Sequence, residues 1–147
     1  MTHDLHAKKL NQLTELFPPK VVSSRSITGT PPEVGNYIDQ FGNQSWITAP
    51  QEAYEKNTDA FSLMDLDALK EFIPGFVKWA LQGSESIIEE DLIHFIASER
   101  FHDLAGYLTK TQTKFLYDFA LEICDREKCY SIIQEAILVN MINYEDI

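Results

Sequence analysis

The sequence predicts an all-α protein: a single compact multi-helix domain over residues 1–147, with a proline-kinked central helix. Three observations carry that expectation. Apolar residues recur at three- and four-residue spacing along most of the chain, the signature of helices with one buried face. Four segments open on Thr or Ser followed three residues later by Glu or Gln, a pattern in which each side chain serves the other's backbone N–H. The stretch "MDLDALKEFIPGFVKWALQG" (residues 64–83) is apolar around most of a helical wheel and carries Pro74 near its middle. Together these predict six to eight helices and little or no sheet.

The elements follow in chain order. Leu10, Leu13 and Phe17 share one face of a first helix expected over 4–16, and Pro18 and Pro19 end it, because proline cannot continue the hydrogen-bond ladder. "VVSSRSITGT" (21–30) reads as a loop or a short extended piece. Thr30, Pro31 and Glu33 form a start signal, Val34, Ile38 and Phe41 the apolar face behind it, and Gly42 with Asn43 the stop. Thr48 and Gln51 repeat the start signal before a helix of about two turns.

Asp65 caps the central helix, whose stripe is Leu66, Leu69, Ile73, Phe76, Val77 and Ala80, widened by Phe72 and Trp79. A helix this apolar is buried by several neighbours. Pro74 removes one donor, frees the Lys70 carbonyl and bends or splits the helix, while Gly75 admits a close backbone approach. Ser86 and Glu89 open the next helical segment, with Ile88, Leu92, Phe95 and Ile96 on one face. Thr109 and Gln112 open the last, where Phe115, Phe119 and Ile123 recur, and then Ile132, Ile133, Ala136, Ile137 and Met141. The charged "DREK" between those stripes leaves one long helix or two as open alternatives.

Composition narrows function. The chain has 147 residues, 44% apolar and 24% charged, enough for an independent core and unlike a disordered chain. No apolar run is long enough to span a bilayer, and the start "MTHDLHAKKLNQL" has an early acid and no apolar core segment, unlike a signal peptide. The expected location is cytoplasmic. Cys124 and Cys129 lie five apart, which suits neither a disulfide nor a metal motif and reads as thiols in a reducing compartment.

The net charge is −11, and it is uneven: residues 84–147 hold 13 acids against 5 bases, residues 1–83 hold 10 against 7. Such a surface repels phosphate backbones and attracts a basic protein. Glu85, Glu89, Glu90, Asp91, Glu99 and Asp103 fall within 19 consecutive positions and are the candidate partner-binding residues, with Glu89 and Asp91 expected to face water. The same residues read equally as a solvated helix face.

No P-loop, GxGxxG, GxSxG or HExxH occurs, and no catalytic residue is assigned. Asp91 with His94 and Glu99 with His102 have the carboxylate-x-x-His spacing of di-iron bundles, but both pairs lie in one segment without facing glutamates. No metal or other cofactor is expected.

"FSLMDLDALKEFIPGFVKWAL" and the later "YLTKTQTKFLYDFALEI" resemble a bacterial family of small helical proteins catalogued as a domain of unknown function, across roughly residues 41–124. That family carries an "L-T-P-E-A-F-x-Y-Y-L-P-A" type segment before an "L-T-x-x-Q" helix. Ile73-Pro74 stands at the Leu-Pro, Asp65 at the capping Thr, and Leu108-Thr109 with Gln112 at the second motif; Leu66 replaces a proline and Glu71-Phe72 the Tyr pair. The resemblance implies a helical fold and a bacterial origin, and no catalytic residues. Two functions stand. One is an immunity-like protein that binds and neutralises a basic partner such as a toxin. The other is a ligand-binding or enzymatic domain built from dispersed residues such as Trp46, Tyr54, His94 and His102.

Overall fold

The computed structural model describes residues 2–82, 86–127 and 131–145. Among them the fold is all-α, with nine α-helices, one turn of 3-10 helix (Ser24–Ser26), two isolated β-bridges and no strand. The helices are α1 (Thr2–Leu16), α2 (Glu33–Phe41), α3 (Gln51–Lys56), α4 (Ala60–Leu63), α5 (Leu66–Leu81), α6 (Ser86–Ile96), α7 (Glu99–Ala105), α8 (Lys110–Glu127) and α9 (Ser131–Glu145). The count exceeds the expected six to eight because α4 is a single turn and Ser98 divides one expected segment. The chain forms two units, Met1–Glu89 and Glu90–Ile147, with the boundary inside α6.

The first unit is built on α5, which packs against α1 and α3. Phe72, Ile73, Phe76 and Val77 are fully buried, as their stripe predicts. Phe72 and Phe76, one turn apart, anchor an aromatic cluster. Phe41 lies 4.7 Å from Phe72 and 5.3 Å from Tyr54, while Tyr54 and Phe61 lie 4.8 and 4.5 Å from Phe76. Offset and edge-on ring pairs of this kind add about 0.5–1.5 kcal/mol each beyond area burial.

Pro74 does not split α5, which runs unbroken from Leu66 to Leu81. Its role becomes clear from its neighbour. A Cβ on Gly75 would fall on the Tyr54 hydroxyl and ring, so the missing side chain is the slot into which Tyr54 fits. The Tyr54 hydroxyl donates to the Trp46 carbonyl at 2.7 Å, and Trp46 Nε1 donates to the Phe17 carbonyl at 2.8 Å. Pro74 and Gly75 thus sit together, both buried, where the Tyr54 ring closes on α5.

Start signals are honoured in place more than in chemistry. α2 begins at Glu33 rather than Pro31, without a side-chain cap. Pro32 rather than Thr30 takes the cap position, and the Thr30 carbonyl accepts from the Val34 N–H at 3.0 Å. The buried face of α2 is Tyr37 and Phe41, with Val34 and Ile38 half-buried. Thr48 turns away from α3: its Oγ1 accepts from the Ser45 N–H at 2.9 Å, and α3 starts behind Pro50. Asp65 holds the cap position of α5 in extended backbone, but its side chain makes no capping bond. Asn43 stops α2 in the left-handed region at φ 61°. The loop before α2 is fastened by Val22 bridging Gln44 and Gly29 bridging Met64.

The second unit is an aromatic relay. Phe95 of α6 meets Phe101 of α7 edge-on at 5.6 Å; Phe101 meets Tyr117 of α8 at 5.1 Å; Tyr117 meets Tyr144 of α9 at 6.4 Å. Ser98 separates α6 from α7, donating to the Phe95 carbonyl and accepting from the Phe101 N–H. The Thr109–Gln112 box forms reciprocally: Thr109 N–H donates to Gln112 Oε1 at 2.9 Å and Gln112 N–H to Thr109 Oγ1 at 3.1 Å. Ser86, opener of the other box, begins α6, and its side chain lies outside the described residues.

The open alternative over 110–141 resolves as two helices, α8 and α9. The start of α8 meets the end of α9, so they run antiparallel. Asn140 Nδ2 donates to the Ala97 carbonyl at 3.1 Å and ties α9 to the end of α6.

Candidate functional site

The residues proposed for a dispersed ligand site are not brought to one place. Trp46 and Tyr54 are core residues of the first unit, and both spend their polar atoms on backbone carbonyls. Burial pushes the Tyr54 phenol well above its ordinary value, which keeps it a neutral donor. His94 of α6 and His102 of α7 are exposed on the second unit. Among the described residues no three His, Cys, Asp or Glu side chains form a group that could hold a metal ion. Cys124 is buried in α8, and Cys129 lies outside the described residues.

The acidic set divides by exposure. Glu90, Glu99 and Asp103 are exposed, Glu89 and Asp91 half-buried, and Glu85 lies outside the described residues. The expectation that Glu89 and Asp91 face water is therefore corrected. Each sits about 100° to one side of Glu90, which brings both to the rim of the Ile88–Leu92–Phe95 stripe, itself buried as expected. Glu99 and Asp103 share one face of α7 at i, i+4 spacing. Among the described residues no ion pair holds Glu90, Asp91, Glu99 or Asp103.

The feature that sequence reading missed is the outer face of α9. Ile137 is fully buried, and Ile133, Ala136 and Met141 are partly covered, as the stripe predicts. Ile132, assigned to the same stripe, is instead 75% exposed. It lies about 140° around the helix from Ile137 and joins Leu138, Val139 and Ile142, which are 39, 49 and 53% exposed. Ile132, Val139 and Ile142 follow i, i+7, i+10 spacing, with the exposed carboxylate of Glu135 among them. The result is an apolar ridge about 15 Å long with one acid at its centre. The available signal was that α9 is apolar on both faces, so its periodicity does not say which face the fold covers.

No family model matches the chain, and neither a curated protein nor a solved structure is found to be similar to it. Among the described residues no helix is long and apolar enough to cross a membrane.

Proposed function

We propose that this chain is a protein-binding module that docks and neutralises a basic partner protein, in the manner of an immunity protein, and that it carries no catalytic centre. The outer face of α9 carries the reading. Four large apolar side chains on one solvent-facing helix are unusual for an isolated soluble surface and mark contact sites. Glu135 in their midst favours a partner that sets a Lys or Arg among apolar groups. The remaining acids act at longer range. Glu90, Asp91, Glu99 and Asp103, with Glu85 and Glu89, contribute to a negative field that speeds encounter with a basic protein without having to lie in the contact itself. A toxin fits this description.

The test is affinity capture from the source cell with the full chain and with an Ile132→Gln, Val139→Gln, Ile142→Gln variant. The expected result is a basic protein retained by the first and lost by the second, at equal helicity and thermal midpoint. A Glu90→Lys, Asp91→Lys, Glu99→Lys variant is expected to slow association at low salt with little change at high salt. Capture of no basic protein, or equal capture by the ridge variant, refutes the reading.

A further inference from the structure

The ridge on α9 carries one charge, and the place of that charge decides what can lie on it. Around the helix the exposed apolar positions run from Leu138 to Ile132 over about 120°, and Glu135 falls at the middle of that arc. Ile132, Leu138 and Val139 each lie about one turn from it. Glu135 is exposed, and among the described residues no ion pair holds it. Any surface that covers the apolar side chains therefore covers this carboxylate with them. A carboxylate taken out of water without a cation beside it is heavily penalised.

That penalty falls on a second copy of the chain. Two-fold pairing with itself is the commonest way a protein forms an oligomer, and an apolar helix ridge invites it. Residues 131–145 contain no Lys, Arg or His, so a second α9 offers no counter-charge in either direction. Laid antiparallel about the ridge midpoint at Ile137, each Glu135 sits opposite the other chain's Val139, and the two carboxylates are about 6 Å apart along the axis. Laid parallel in register, they meet. Both arrangements enclose two like charges among apolar groups.

We infer that Glu135 closes the α9 face to a second copy of this chain and leaves it open to an apolar partner surface that carries one Lys or Arg. The inference rests on the proposed role of that face as a contact surface, and adds which partner it refuses and which residue decides. In the monomer the carboxylate is in water and costs nothing; it costs only the wrong association. Specificity is commonly built in this way, by penalising a competitor as well as by fitting the right partner.

The test uses the chain itself and needs no captured partner. The unaltered chain, Glu135→Leu, Glu135→Gln, Glu135→Lys and an equimolar mixture of unaltered and Glu135→Lys chains are each diluted from roughly a millimolar. Methyl NMR of Ile, Leu and Val locates any contact, sedimentation gives the mass, and Ile73, buried in the first unit, is the internal control. The unaltered chain is expected to stay monomeric. Glu135→Leu is expected to self-associate at least about tenfold more tightly, a change of about 1.4 kcal/mol, with shifts at Ile132, Leu138, Val139 and Ile142 and none at Ile73. Glu135→Gln, close to the native shape, is expected to fall between them and keeps the test decisive if the Leu variant loses helicity by circular dichroism. The mixture is expected to associate at least about tenfold more tightly than either chain alone, and to lose that gain at high salt. Four results overturn the inference: self-association of the unaltered chain as tight as that of Glu135→Leu, Leu and Gln variants that both stay monomeric, association that leaves the ridge methyls unmoved, or a mixture no tighter than its separate chains. Any of these with a basic protein still captured by the ridge removes Glu135 as the selector and spares the proposed function. The expected self-association pattern without any basic protein captured supports Glu135 as the barrier to self-pairing and refutes the proposed function.

Discussion

The two units treat their fully buried tyrosines in different ways. In the first, Tyr54 is tied to the Trp46 carbonyl and Tyr37 to Asp59 at 2.8 Å, and beside them Trp46 is tied to the Phe17 carbonyl and Asn57 to the Ala53 carbonyl and Gln40. In the second, Tyr117 is as deeply buried as Tyr54 but its hydroxyl goes unmatched, and α9 turns an apolar ridge to solvent. A satisfied polar core specifies one packing; open valences and uncovered apolar surface cost stability and are kept where something else completes them. Under the proposed function, framework falls to the first unit and recognition to the second.

The largest expected effects test the framework. Phe76→Ala removes a fully buried ring with two aromatic neighbours and is expected to cost about 3–5 kcal/mol in denaturant unfolding. A loss below about 1 kcal/mol would deny α5 its central place. Gly75→Ala drives a methyl into Tyr54, whose hydroxyl is held by Trp46 and cannot swing aside. It is expected to cost about 1–3 kcal/mol, although alanine is the better helix former by about 1 kcal/mol.

The sharpest comparison is one substitution made twice. Tyr54→Phe strands the buried Trp46 carbonyl and is expected to cost about 1–3 kcal/mol, whereas Tyr117→Phe deletes a hydroxyl that bonds nothing and is expected to be neutral or stabilising by up to about 1 kcal/mol. Equal losses at the two sites would remove the distinction between the units.

Alkaline titration probes the same pair. Burial, and secondarily the Tyr144 phenol, push Tyr117 up to about 12, and burial raises Tyr54 further. An unfolded tyrosine ionises near 10. The folded state therefore holds protons that the unfolded state has released, and stability is full below about pH 10 and falls as pH rises toward 12, by up to about 1.4 kcal/mol per pH unit for each group. Absorbance at alkaline pH should show these two of the six tyrosines ionising last, together with unfolding. Smallest of all are the ridge substitutions: Ile132→Gln, Val139→Gln and Ile142→Gln should each change stability by less than about 0.5 kcal/mol. A larger loss would mean that these side chains are packed rather than presented.

How much of this was legible in the sequence varies with the range of the interaction. The all-α class, the burial of Phe72, Ile73, Phe76, Val77 and Phe119, the stop at Pro18 and the Thr109–Gln112 box depend on residues within two turns of one another, where helical periodicity and capping act. Local rules went astray where a second segment competed. Thr48 bonds Ser45 rather than the start of α3, and Ser98, outside the Thr/Ser-x-x-Glu/Gln pattern, ends one helix and begins another. Only tertiary structure decided that Gly75 is the seat of Tyr54, residues 21 apart in sequence, and which side of α9 is covered. On a helix apolar all round, periodicity has no direction to report; the choice of face belongs to the helix that packs against it, and α8 takes the side of Ile137 and Tyr144, leaving Ile132, Val139 and Ile142 to solvent.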